Sequence, residues 1–208
     1  MKIVLFVEGY TEVKVLPDFL TRWLNPRLTQ PIKIKPVRFD GWRDYVDGIA
    51  KKVEVNLSGK AGTDVVAAIG LLDLYGPTFY PAHLASADAR YTWAKQDLEK
   101  KVGHPRFRQH FAVHETEAWL LSQPALLPTA IGAALPGRCA QPETVNSNAP
   151  PAKLLGSLYW EKQRTAYKKV TDGADLFKKL DPQIAYNKCP YLKALLDDML
   201  ALARAGIP

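Results

Sequence analysis

Three short apolar runs set the terms for what this chain can fold into. They cover 2–7, 65–72 and 111–113. The first two are continuous in apolar character and rich in β-branched residues, and all three are too short for a self-sufficient buried helix. Such runs are strands covered on both faces, which is the habit of a parallel sheet. A helical pattern follows each of them. After the first, Thr11 is placed as an N-cap with Glu12 in the first turn, and Val13, Leu16, Leu20, Trp23 and Leu24 form one apolar stripe. Pro17 lies inside that stripe and predicts a kink or a late helix start. A further strand is expected at 32–37, a helix weakened by Gly48 at 44–57, and a polar helix at 88–102. The third run is opened by the basic stretch 106–110 and delivers 114–117 into a helix at 118–121. Strand and helix alternating at this spacing predict an α/β fold, a parallel sheet with helices on both faces. Residues 1–122 make up this core. Residues 123–208 are a loop-rich connection to 151, with a helical turn at 125–135, then a basic, mainly helical C-terminal region ending in a helix at 191–204 that packs on the core.

Each apolar run ends at a carboxylate: Glu8, Asp73, and Glu115 or Glu117. A parallel sheet brings its strand C-termini to one edge, where sites in such folds lie. One acid after a strand is ordinarily a helix cap or a solvated loop residue. Three at one edge repel each other and resist desolvation, so they call for a cation or for shifted pKa values. A hard divalent ion, Mg²⁺ or Mn²⁺, suits carboxylate oxygens and leaves room for water and phosphate. Such an ion assists phosphodiester hydrolysis.

The formal net charge of +7 favours a polyanionic partner. The excess is concentrated at 151–193, with nine basic against four acidic residues and Tyr159, Trp160, Tyr167, Tyr186 and Tyr191 between them. Bases grip phosphates and aromatics stack on unpaired nucleobases, although a solvated helical face with its aromatics turned inward has the same composition. Other chemistries lack their motifs. No Walker loop, GxGxxG or GxSxG is present, and the second histidine of a zincin site would fall on Ala118. Cys139 and Cys189 have no metal-ligand spacing, so a reducing cytoplasmic setting is expected. The opening apolar run is too short for a secretion signal, and no run reaches the length of a membrane span.

The segments Leu5-Phe-Val-Glu8-Gly9-Tyr-Thr11-Glu12, Leu72-Asp73-Leu-Tyr75-Gly76-Pro77 and His114-Glu115-Thr-Glu117-Ala118-Trp119-Leu120-Leu121 resemble the toprim superfamily. More closely they resemble a small bacterial toprim-like family of unknown function. Tyr167-Lys168-Lys169, Gly173 and Lys188-Cys189-Pro190 are similar to that family's C-terminal signature. The resemblance implies a toprim-like (Rossmann-like) parallel sheet of about four strands and Mg²⁺-dependent phosphodiester chemistry. Glu8 takes the general acid/base or metal-ligand role, and Asp73 that of the first aspartate of a DxD pair. The second aspartate is replaced by Tyr75, so Glu115 or Glu117 would supply the missing charge, with Glu117 the better match. The resemblance extends to the nuclease half of ATPase-linked phage-defence pairs.

The leading expectation is therefore a metal-dependent nuclease of DNA or RNA. Glu8, Asp73 and Glu117 would be catalytic, Glu8, Asp73, Glu115 and Glu117 the metal ligands, and Lys168, Lys169 and Lys188 the contacts to nucleic acid. An ATPase protein is an expected partner, no membrane is, and homo-oligomerisation stays open. The competing expectation is a catalytically silent toprim scaffold that binds nucleic acid or a partner protein.

Overall fold

The computed structural model describes residues 1–145 and 149–206. Four parallel strands, β1 (Lys2–Val7), β2 (Lys33–Arg38), β3 (Val65–Asp73) and β4 (Phe107–Ala112), form one sheet in the order β2-β1-β3-β4. The helices are α1 (Tyr10–Leu24), α2 (Trp42–Leu57), α3 (Gly59–Gly62), α4 (Ala87–Val102), α5 (Glu117–Leu121), α6 (Thr129–Ala133), α7 (Pro151–Gln163), α8 (Ala174–Lys179), α9 (Pro182–Lys188) and α10 (Pro190–Ala205). Among the described residues no helix is long and apolar enough to cross a membrane.

Strand periodicity sorts β1 between two cores. Ile3, Leu5 and Val7 point to one face, Val4 and Phe6 to the other. The second face is covered by α2 and α4, through Tyr45, Ile49, Val53, Ala94 and Leu98. The first is covered by α1 together with the C-terminal helices: α8 and α9 lie against α1, and α10 lies against β3 and β4. Phe19 of α1 stacks on Trp119 of α5 at 5.8 Å and meets Phe177 of α8 edge-on at 5.7 Å.

Two local expectations change. Gly9, not Thr11, is the N-cap residue of α1, and Thr11 is buried within the first turn. Pro17 does not delay the helix, which runs unbroken from Tyr10 to Leu24. Its loss of one backbone hydrogen bond is outweighed by the buried stripe of Leu16, Phe19, Leu20 and Trp23. The last strand is also longer than its apolar run, because the polar residues before it are satisfied internally. Gln109 accepts from the Tyr45 hydroxyl at 2.7 Å, and His110 lies 3.1 Å from both the Tyr91 hydroxyl and Asp198. Gly70 is required beside them, since a Cβ there would stand 2.0 Å from the Tyr45 hydroxyl oxygen.

The strand order fixes where a ligand can enter. From β1 the chain moves outward to β2, then crosses back to β3 on the other side of β1. The carboxyl ends of β1 and β3 therefore flank the topological switch point of the sheet. Glu8 follows β1 directly and Asp73 is the last residue of β3.

Candidate active site

At that switch point lies a cavity of about 270 Å³ bordered by Glu8, Glu12, Asp73, Thr116, Lys169 and the turn around Gly9. Three acids and one lysine border it from separate parts of the chain, and a fourth acid, Glu117, reaches the same lysine. Glu8 is half-buried, and the backbone N–H of Trp42, the first residue of α2, favours its ionised form. Burial and the neighbouring Glu12 raise its pKa, opposed by that N–H and by Lys169. Glu12 sits one turn on, buried in the first turn of α1. Gly9 leaves it space: a Cβ at this position would lie 2.5 Å from Glu12 Oε2.

Asp73 accepts the backbone N–H of Thr116 on Oδ1 at 3.1 Å, which aims Oδ2 at the cluster. Desolvation raises its pKa well above the ordinary value, with Glu12, Glu117 and Glu115 adding to the shift and Lys169 opposing it. Glu117, at the start of α5, has a wholly buried side chain whose pKa is also raised, chiefly by desolvation. Its Oε1 has no hydrogen-bond partner.

Lys169 holds this group of acids together. It begins a single π-helical turn, Lys169–Gly173. Its Nζ lies 3.1 Å from Glu117 Oε2, 3.6 Å from Asp73 Oδ2 and 3.9 Å from Glu12 Oε1. Burial alone would lower the lysine pKa, but Asp73, Glu117 and Glu12 outweigh it and raise the value.

The residues singled out in the sequence are thus distributed as follows. Glu8 and Asp73 border one cavity, and Glu117 reaches the same ammonium as Asp73. Glu115 stands beside the cluster rather than in it: its Oε2 accepts the Ala152 N–H at 2.8 Å, at the start of α7. The three lysines do not form one basic patch. Lys169 is in the acid cluster, Lys168 is exposed beside a groove between α7 and α8, and Lys188 donates to the Ser122 carbonyl at 2.7 Å, tying α9 to the end of α5. Glu12 is the acid that sequence reasoning missed. Its spacing of one helical turn from Glu8 was the available signal, but a glutamate in a first turn already has a sufficient reason to be there. Nothing local marks Lys169 for its position.

Residues 7–200 match the family model described as "Domain of unknown function (DUF4276)". The chain belongs to this family. No curated protein matches this DUF4276 chain. Among solved structures it is similar to the "C-terminal region of the Burkholderia pseudomallei OLD protein", with 16% identity, 97% of this chain and 98% of that chain covered, and a TM-score of 0.48.

The residues of the DUF4276 site can be tested against a divalent metal. The donors are all carboxylate oxygens, the set a hard cation prefers. Glu12, Asp73 and Glu117 face a single ammonium, Glu8 borders the same cavity, and Glu117 Oε1 is an orphaned buried oxygen. In donor chemistry and charge these residues fit Mg²⁺ or Mn²⁺. Their present side-chain arrangement is not a ready cage: among the described residues no three His, Cys, Asp or Glu side chains are grouped as metal ligands. The Lys169 ammonium stands where Glu12, Asp73 and Glu117 meet and offsets part of their charge.

Proposed function

We propose that this chain is a nuclease, hydrolysing phosphodiester bonds of DNA or RNA at the β1–β3 switch point with the help of Mg²⁺ or Mn²⁺. The observation that carries this reading is the convergence of Glu12, Asp73 and Glu117 on the Lys169 ammonium beside Glu8, in an open cavity at the sheet's carboxyl edge. Glu8, Glu12, Asp73 and Glu117 would hold the ion. When bound, it supplies charge neutralisation and Lewis acidity at the phosphodiester.

The chain's own groups account for the rest. Lys169 offers its three N–H donors to non-bridging phosphate oxygens once the carboxylates are neutralised otherwise. Glu8, with its raised pKa and its access to the cavity, takes a proton from the attacking water as the new P–O bond forms. The P–O bond to the leaving oxygen breaks, and that oxygen takes a proton from solvent. Thr116 N–H keeps Asp73 from turning away. The toprim resemblance adds an ATPase partner and a role in phage defence to this proposal.

A second reading is a scaffold that binds nucleic acid without cutting it. It is favoured by Lys169 at the centre of the acids and by Tyr75 where a second aspartate would stand. One experiment separates the two. End-labelled single-stranded and duplex substrates are incubated with Mg²⁺ or Mn²⁺ and wild-type, Asp73→Asn or Glu12→Gln protein, each shown to be folded by circular dichroism. The nuclease reading expects cleavage that falls roughly 100-fold or more in both variants. Binding that weakens with salt but never yields product supports the scaffold. Cleavage that survives both substitutions overturns the site.

A further inference from the structure

Beside the acidic cavity stands a set of aromatic rings that the proposed hydrolysis does not use. Trp42, the first residue of α2, is stacked on Phe79 at 6.1 Å and 27°. Phe79 in turn meets Tyr80 at 4.6 Å. Guanidinium groups lie at both ends of this row: Arg43 is 5.1 Å from the Trp42 ring and Arg90 is 5.7 Å from the Tyr80 ring. The Tyr80 hydroxyl donates to the Leu74 carbonyl at 3.2 Å, and Phe79 and Tyr80 pack on the core behind Trp42. At the cavity mouth Tyr10 is 68% exposed, with the Arg38 guanidinium 4.0 Å from its ring. An exposed tyrosine at the opening of an acidic cavity has no packing role to explain it.

Of the aromatic residues flagged between the C-terminal bases, Trp160 is exposed, but it is not among the residues that line the acidic cavity. Tyr159 is buried, Tyr186 stacks on Trp23 at 4.9 Å, and Tyr191 packs on Tyr91 at 4.7 Å. Near the acids the ring open to a ligand is that of Tyr10, which lines the cavity beside Arg38, with half-buried Trp42 and Arg43 following. Aromatic faces take up unpaired nucleobases without regard to sequence, while arginines meet the phosphates between them. Bases in a duplex are already stacked and leave no face for a tyrosine.

Taking the nuclease reading as its basis, we propose that exposed Tyr10, with half-buried Trp42 held in place by Phe79, forms a stacking platform that selects single-stranded nucleic acid and leads it over the acidic cavity. The duplex is the disfavoured substrate, and the strand is held by base stacking and by Arg38, Arg43 and Arg90.

The test is fluorescence anisotropy in EDTA, so that binding is read without hydrolysis. The probes are labelled oligothymidylate and oligouridylate of about fifteen nucleotides and a duplex of the same length. The expected result is single-strand binding roughly tenfold tighter than duplex binding at equal salt. Tyr10→Ala, at an exposed position, and Trp42→Leu should each weaken single-strand binding roughly fivefold or more while altering duplex binding much less. The oligothymidylate and oligouridylate arms show whether the strand is DNA or RNA. Equal or tighter binding of the duplex, no binding of any probe, or a Tyr10→Ala protein that binds oligothymidylate as the wild type does would overturn the platform. The cleavage assay is read separately. Single-strand selectivity without cleavage supports the platform and sinks the hydrolytic reading, whereas cleavage without selectivity sinks the platform alone.

Discussion

At the scale of the residue, the site is a problem of unequal charge. Glu12, Asp73 and Glu117 crowd one ammonium, and Glu8 stands close by. Burial first, and like charge second, disfavours the ionised forms, which is why the pKa values of Glu8, Asp73 and Glu117 are all raised. Lys169 behaves in the opposite sense. Its native pKa lies above the ordinary lysine value, so its stabilising effect is complete at neutral pH and is lost only as pH rises through that native value. Replacing it with methionine leaves the acids without a counter-charge. The Lys169→Met protein should lose about 1–3 kcal/mol of stability in urea unfolding at neutral pH, less than for a wholly buried partner because 35% of the lysine side chain is exposed. Millimolar Mg²⁺ should then stabilise this variant more than the wild type, because binding to the folded state alone shifts the unfolding equilibrium. A variant as stable as the wild type, and indifferent to Mg²⁺, would show that the cluster stores no such imbalance. The sequence disclosed Glu8 and Asp73 because each stands at the end of an apolar run. It offered Lys169 only as a contact to nucleic acid, because its place among the acids depends on a π-helical turn far along the chain, and it disguised Glu12 as an ordinary first-turn acid.

At the scale of the element, the helices and strands follow local pattern where burial is simple and depart from it where polar groups are paired inside. Continuous apolar runs made β1 and β3 legible almost to the residue. The strand β4 was legible only at its end, because Arg106, Arg108, Gln109 and His110 read as a surface segment until their partners are known. The helix α10 shows the same kind of hidden pairing at its start. Glu143 accepts the backbone N–H groups of Tyr191 at 2.7 Å and Leu192 at 3.1 Å, reaching an N-terminus that has no cap of its own. Burial nevertheless pushes the Glu143 pKa up to about 8. The native state then binds a proton that the unfolded chain releases above its own, lower pKa. Stability should therefore fall as pH rises from about 4.5 to about 8, and Glu143→Gln, which never ionises, should remove this part of the decline. Urea midpoints across that range measure it. A Glu143→Gln protein that declines as steeply as the wild type would place the titrating group elsewhere.

At the scale of the whole molecule, the strand order matters most. An order of β2-β1-β3-β4 with every pair parallel leaves one switch point, and the acids lie at it. The α/β class and the helices on both faces were legible from the alternation of periodicities. The degree to which the C-terminal region belongs to the same core was not, since its apolar positions are divided among four short segments. Phe177 packs on Phe19 and Trp119, and α10 covers β3 and β4. Lys169 also comes from this region. Residues 1–122 expressed alone should lack a cooperative unfolding transition and bind a hydrophobic dye, because one face of the sheet and one side of α1 lose their cover. A cooperatively folding fragment would show that the first core stands by itself.

The claim on which the rest depends is that the carboxylates around Lys169 form a centre for a divalent cation. A crystal of the full chain soaked in Mn²⁺, with anomalous scattering used to locate the ion, tests it most directly. The account predicts a peak at a coordination distance of about 2.1 Å from Asp73 and from at least one of Glu8, Glu12 and Glu117, with the Lys169 ammonium withdrawn from its present position. Manganese found only at other surfaces, with Lys169 still held between Asp73 and Glu117, would contradict it.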